Sequence, residues 1–244
     1  MIRVLVSGAA GHMGRIVLER VAAAADMELA AGVDVFAQEG SGLYKTFSDD
    51  IPQTDVIIDF SHHTLIGDIL NFAQVRGIPV IIATTGHDEA ELALISAAAE
   101  KIPVFFSSNM SLGIALLIEL AKKTAAAFPD ADIEIVEVHH NRKLDAPSGT
   151  AKTIAEAVCS VREGSRVVCG REGMCKRQPD EIGMHSLRMG NIVGIHEVIV
   201  STNTQTITLK HEAHDRALFA DGAVSATRFL AGRSAGLYSM HDLV

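Results

Sequence analysis

Through the first hundred residues, short apolar runs alternate with longer stretches in which apolar positions recur at helical spacing. The runs are Ile2–Val6, Glu28–Val33, Val56–Asp59, Val80–Ala83 and Val104–Phe106. They are mostly continuous apolar runs, as in strands buried on both faces of a parallel sheet. The segments Met13–Ala24, Thr64–Arg76 and Glu89–Lys101 predict helices, and Gly77-Ile78-Pro79 and Ile102-Pro103 mark helix exits. Such alternation predicts an α/β fold with an N-terminal Rossmann-type doubly wound parallel sheet.

After a longer helix at Ser111–Phe128, ended by Pro129-Asp130, the grammar changes. Ile133–Val138, Val167-Val168, Ile192–Thr202 and Thr206–Lys210 predict strands, with a helix at Thr150–Val161 among them. Leu218–Leu230 predicts a terminal helix. Two domains are therefore expected. Residues 1–111 with 217–244 form the parallel-sheet domain; residues 112–216 form a second α+β domain on a mixed sheet, exposed or oligomer-forming.

Composition then excludes several classes of function. With 48% hydrophobic and 21% charged residues over 244 positions, the chain is an ordinary globular one with material for a sizeable core. A formal net charge of −9 argues against general nucleic-acid binding, which needs a Lys/Arg surplus. An anionic small molecule stays open, provided positive charge is concentrated around it. Cys159, Cys169 and Cys175 make neither an even disulfide set nor a C-x-x-C motif, as fits a reducing compartment. The opening Met1-Ile2-Arg3 shows no leader pattern, and no run nears the roughly 18 apolar residues of a membrane span. A cytoplasmic protein without membrane or nucleic-acid partners is the expectation.

Gly8-Ala9-Ala10-Gly11-His12-Met13-Gly14 sits directly after the first strand and opens the first helix. Its G-x-x-G-x-x-G spacing is a relative of the dinucleotide fingerprint, in which a tight glycine turn brings backbone and helix N-terminus to a pyrophosphate. The glycines alone are weak; the strand before and helix after supply the required context. Asp34 lies 20 residues after Gly14 at the end of the second strand, where a carboxylate accepts from ribose hydroxyls. Val35-Phe36-Ala37-Gln38 offer no Arg for a 2′-phosphate, so NADH is the expected cofactor and NADPH the second choice. Ala83-Thr84-Thr85 and Ser107-Ser108-Asn109-Met110 follow the fourth and fifth strands, at the ends where such sheets bind ligands.

The densest chemistry is Glu137-Val138-His139-His140-Asn141-Arg142-Lys143-Leu144-Asp145-Ala146-Pro147-Ser148-Gly149-Thr150, between a strand and a helix. Ser148 reads as an N-cap, making the helix start at Gly149 and Thr150 a ready carboxylate site. Lys143 adds a cation and proton donor, and His139 and His140 exchange protons near neutral pH. Adjacent histidines on a strand point to opposite faces and no further ligand completes a tetrahedral set, so no metal is expected. Ser148 lacks the G-x-S-x-G context of a nucleophile. A solvated charged loop is the bland alternative, opposed by the need of a nucleotide domain for a nearby substrate site.

This string resembles the E-x-H-H-x-x-K-x-D-x-P-S-G-T-A signature of the 4-hydroxy-tetrahydrodipicolinate reductases, long called dihydrodipicolinate reductases. Gly8–Arg15, Asp59-Phe60-Ser61, Ala83–Gly86, Asn109–Gly113, Ile192–His196 and Phe219–Ala223 also resemble that family's motifs, in order along nearly the whole chain. The resemblance implies that His139 and Lys143 are the catalytic pair, with Lys143 favoured as proton donor. It implies that His140, Lys143, Ser148, Gly149 and Thr150 bind a small dicarboxylate. It places the nucleotide on Gly8, Ala9, Ala10, Gly11, His12, Met13, Asp34, Ala83, Thr84, Thr85, Ser107, Ser108, Asn109 and Met110. Reduction of 4-hydroxy-tetrahydrodipicolinate to tetrahydrodipicolinate on the diaminopimelate route to lysine, by a homotetramer, is the implied activity. One departure is His62-His63 after Ser61, where many relatives carry a proline. Two other readings stay open: an amino-acid or semialdehyde dehydrogenase of two domains, and a nucleotide-sensing module without turnover.

Overall fold

The computed structural model describes all 244 residues. In chain order the elements of the first half are β1 (Ile2–Ser7), α1 (His12–Ala23), β2 (Met27–Val33), β3 (Val56–Asp59), α2 (Ile66–Arg76), β4 (Val80–Ile82), α3 (Glu89–Ala99), β5 (Pro103–Phe106) and α4 (Leu112–Ala127). There follow β6 (Asp132–His139), α5 (Gly149–Cys159), β7 (Arg166–Cys169), β8 (Glu181–Arg188), β9 (Gly194–Ser201), β10 (Thr206–Ala213), α6 (Ala217–Leu230) and β11 (Gly236–Tyr238). The chain divides into two compact units, Met1–Leu112 with Ala217–Leu243, and Gly113–Arg216. No helix is long and apolar enough to cross a membrane.

The first unit is a six-stranded sheet in the order β11-β5-β4-β3-β1-β2, every pair parallel. Val4, Leu5 and Val6 of β1, Ile57 and Ile58 of β3 and all of β4 are fully buried, which is why these strands read as unbroken apolar runs. One face carries a core cluster with Leu5, Ile57, Ile69, Phe72, Ile82 and Ile95 among its members. α1 and α6 pack together over the other strands' backs, α6 touching β3, β4 and β5. The chain leaves β1 toward β2 on one side and places β3 on the other. That reversal is the point where doubly wound sheets open a ligand crevice, and the glycine loop stands there.

In the second unit the sheet order is β10-β9-β6-β8-β7, with β6, β8 and β7 parallel and β9 and β10 antiparallel to their neighbours. It is a mixed sheet. Ile133 and Ile135, Ile182 and Met184, and Val198 and Val200 pack under α4 and α5. Val136, Val138, Ile195 and Ile199 alternate with them onto the opposite face, where they are only half-buried. The sequence predicts no strand at β8, yet β8 lies beside the central strand. Its run Glu-Ile-Gly-Met-His-Ser-Leu-Arg carries one β-branched residue and a glycine, so periodicity is muted. β11 was equally silent, being three residues long and stabilised by pairing with β5.

Candidate active site

The crevice of the first unit is shaped mainly by backbone. Gly8 holds φ at 79°, and a Cβ there would come within 2.6 Å of the Phe60 carbonyl oxygen. A Cβ on Gly14 would overlap the Gly8 carbonyl. Gly8 and Ala9 donate their N–H groups to the Val33 carbonyl, and Ala10 donates to Asp34 Oδ2 at 2.9 Å, so the loop is pinned to the end of β2. Asp34 Oδ1 accepts from the Phe36 N–H at 2.9 Å. α1 then starts at His12 with Gly11 as an extended N-cap, no side-chain cap and no acidic residue in the first turn. α3 is the opposite case: Asp88 and Glu91 close its start as a reciprocal capping box. The start of α1 is thus left without an anion of the chain's own, as a diphosphate requires.

Two cavities flank this loop. The first, about 620 Å³, is lined by Ser7, Gly8, Gly11 and Asp34 and reaches Phe36, Lys45 and Phe47. The second, about 440 Å³, is lined by Met13, Ala83, Thr84, Thr85, Ser108, Asn109 and Met110. Ser61 and His62 line both, so the two form one elongated trough suited to a dinucleotide. Of the remaining expected cofactor residues, Ala9 is buried beneath the loop, and His12 is exposed at the start of α1. Ser107 uses its hydroxyl on the Asn109 carbonyl. The uncapped start of α1 and the two cavities beside it fit a pyridine nucleotide.

Sequence reasoning gave no role to Asp59. It is buried at the end of β3 and accepts from Ser61 Oγ and, at 2.6 Å, from Thr84 Oγ1, tying two walls of the trough. Burial pushes its carboxyl up, against hydrogen bonds from Ser61, Thr84 and Ser7. The His62-His63 departure is resolved by side chains rather than by a rigid ring. His62 Nδ1 accepts from the Thr64 N–H, starting a short 3₁₀ turn, and His63 Nδ1 lies 2.8 Å from a Glu91 carboxylate oxygen.

In the second unit the site is built from side chains. His139 ends β6 and shares a face with Glu137, two residues before it. Glu137 is fully buried and lies 2.5 Å from His139 Nδ1. The Arg188 guanidinium of β8 donates to both carboxylate oxygens at 2.9 and 2.8 Å, and the Ser148 N–H donates at 3.2 Å. Burial alone would raise this carboxyl; Arg188, His139 and Ser186 overcome it and hold the pKa at about 2. Ser148 is the N-cap of α5, its Oγ accepting from the Ala151 N–H and facing His196 Nε2 at 3.3 Å. His196 stands edge-on to His139 with ring centres 5.2 Å apart. Burial, then the neighbouring His139, lowers its pKa to about 4, so it is neutral at pH 7.

The loop between these elements carries Lys143, whose ammonium lies 2.7 Å from an Asp145 carboxylate oxygen. His140 is lowered by desolvation and by the cations Arg142, Arg216 and Lys143, and its Nδ1 is buried without a partner in the chain. The α5 start at Gly149 and Thr150 has no acidic residue in its first turn. His139, His140, Lys143 and Ser148 through Thr150 thus lie along one strand–loop–helix passage. The arrangement can hold a carboxylate and handle a proton. Glu137, Arg188 and His196 were missed as participants. Arg188 and His196 lie 51 and 48 residues from their partners, and the Ile192–His196 motif by itself assigns His196 no role.

Comparison with known proteins identifies the family. The family model described as dihydrodipicolinate reductase, N-terminus, matches residues 2–110, and that described as dihydrodipicolinate reductase, C-terminus, matches residues 113–244. The 4-hydroxy-tetrahydrodipicolinate reductase of Caldanaerobacter subterraneus subsp. tengcongensis is 44% identical over 100% of this chain and 98% of its own. The enzyme of that name from Methanospirillum hungatei is 38% identical over 100% and 99%. The structure of dipicolinate-bound dihydrodipicolinate reductase from Paenisporosarcina sp. TG-14 superposes with a TM-score of 0.82, at 25% identity and full coverage of both chains. On its two matched halves, its full-length relatives and its fold, the chain belongs to the dihydrodipicolinate reductase family.

Proposed function

We propose that this chain reduces 4-hydroxy-tetrahydrodipicolinate to tetrahydrodipicolinate in diaminopimelate and lysine biosynthesis, as a cytoplasmic enzyme using NADH in preference to NADPH. The first unit is the nucleotide-binding part; the second binds substrate and forms the oligomer. The observation that supports the reading is the strand–loop–helix passage from His139 to Thr150: His139 held on the buried Glu137, Lys143 in the loop, and an α5 start capped by Ser148 with no acidic residue in its first turn. A bound reduced pyridine nucleotide supplies the hydride equivalent. The chain does the rest: the α5 start and His140 hold a substrate carboxylate, which fixes orientation. Loss of the substrate's 4-hydroxyl as water gives the conjugated imine that accepts the hydride; Lys143 faces the negative charge that then develops, first as a cation and then as proton donor, with His139 on the same passage. Oxidation of NADH on addition of freshly generated substrate tests this. No oxidation by the pure protein would return the dehydrogenase and sensor readings to the front.

The NADH preference rests on Asp34, whose carboxylate repels a 2′-phosphate. One observation favours a second reading with both nucleotides in use: Lys45 lines the same cavity, while Arg76 spends its guanidinium on the Ile51, Ser48 and Asp49 carbonyls. Titration of both nucleotides decides between the two. A homotetramer is proposed from the second sheet's open face, where Val136, Val138, Ile195 and Ile199 are half-buried. Light scattering on the purified protein reads that directly.

A further inference from the structure

Along β6 the inward positions run Ile133, Ile135, Glu137, so an acid stands where the strand's own alternation asks for an apolar side chain. Burying an ionised carboxylate is costly unless every lone pair is met, and a packed apolar residue is often as stable. Stability alone therefore gives Glu137 no reason to be an acid. Its partners do. His139 carries the ring, Ser148 caps the helix that would receive a carboxylate, and Arg188 reaches further, donating to the Asp145 carbonyl in the loop that holds Lys143. All three working parts of the site meet at one carboxylate.

The donor rules fix the state of the ring. An ionised carboxylate only accepts, so His139 Nδ1 carries a hydrogen, and in the neutral ring Nε2 is the free lone pair. Gly194 packs beside that edge, where a Cβ would lie 3.1 Å from Nε2 and crowd it. We propose that Glu137 is the positioning residue of this site: it fixes the His139 tautomer and, through Arg188 and Ser148, sets the Lys143 loop and the start of α5 against that ring. The proposal rests on the reading of His139 and Lys143 as the proton-handling pair.

Glu137→Gln separates charge and tautomer from shape. An amide has one oxygen for the Ser148 N–H and Arg188, which turns its NH₂ toward His139 Nδ1. That nitrogen must then accept, and the hydrogen moves to Nε2. The test uses ¹⁵N-histidine NMR of the full chain, with the His139 signals identified by their absence in His139→Gln. The expected result is an Nδ1–H tautomer in the wild type and Nε2–H in Glu137→Gln. Turnover in that variant should fall about a hundredfold, the scale of a mispositioned acid–base group, with NADH affinity unmoved. Glu137→Asp, which keeps two acceptors, should retain the Nδ1–H tautomer and recover part of the turnover. An Nε2–H tautomer in the wild type overturns the proposal, whether or not the glutamine variant folds. So does an unshifted tautomer with near-normal turnover in Glu137→Gln. Because the NMR reading needs no turnover, failure of the reductase reading would show separately, as a wild type that leaves NADH unoxidised.

Discussion

α1 and α5 both begin without an acidic residue in the first turn, but the two starts are made by opposite means. At α1 side chains are removed: Gly8, Gly11 and Gly14 let the backbone turn, and Gly11 caps with no side chain at all. At α5 side chains are added: Ser148 caps, Glu137 holds its N–H, and His196 faces its hydroxyl. A site of backbone binds a ligand that many proteins share and has little to adjust. A site of coupled side chains can be charged, protonated and tuned, and it is correspondingly sensitive to charge and pH.

The largest test of that contrast is Lys143→Ala. Turnover should fall by about two to four orders of magnitude, the usual scale for a positioned acid, while NADH affinity stays where it was. Kinetics with freshly generated substrate and cofactor-fluorescence titration read the two quantities separately. A variant that turned over normally would take Lys143 out of the mechanism.

The second test is acid. His196 has its pKa lowered from 6.5 to about 4 by burial. Above pH 6.5 it is neutral in both states; as pH falls toward 4 the unfolded chain takes up a proton that the folded chain refuses. Stability is therefore lost across that window, by about 3 kcal/mol. Glu137, lowered from 4.5 to about 2, adds a second loss below pH 4.5, since its stabilisation is present only while it stays ionised. Urea unfolding against pH should show both limbs in the second unit's transition. His196→Gln should shrink the first limb, to which the lowered His140 and His211 also contribute, and leave the second in place.

Gly14→Ala works on the other side of the comparison. The added methyl meets the Gly8 carbonyl, which cannot retreat without shifting the loop. Overpacking of this kind costs about 1–3 kcal/mol. Calorimetry should show the loss, and NADH should bind more weakly. Unchanged stability together with unchanged NADH affinity would take Gly14 out of the loop's architecture.

How much of this was legible in the sequence follows the same division. The β1 loop could be read because its constraint is local: glycines at fixed spacing between an apolar run and a helix, with Asp34 one strand later. The fully buried parallel strands were legible for the same reason. In the second unit, the Ser148 cap was visible, being a contact between Ser148 and Ala151. The partners that give that segment its order were not. Arg188 comes from β8, a strand hidden by its glycine and polar residues. Glu137 stood within the polar string, yet nothing in spacing says that it is fully buried. Lys45 escaped because a bridge between Val33 and Tyr44 brings a distant segment alongside Asp34.

Lys45 makes the last prediction the sharpest on mechanism, though the smallest in size. Asp34→Ala removes the carboxylate expected to hold the ribose, and NADH should bind about tenfold more weakly, the worth of one or two hydrogen bonds. Part of that loss is indirect, because Ala10 and Phe36 lose the acceptor that anchors the loop. NADPH separates the two contributions. A loosened loop weakens both nucleotides alike, whereas removal of a negative charge in a cavity that keeps Lys45 favours the 2′-phosphate. The NADH-to-NADPH affinity ratio should therefore fall on Asp34→Ala, and Lys45→Ala in the same background should restore part of it. A ratio that does not move would mean that Asp34 only shapes the loop, and that cofactor choice lies elsewhere in the trough.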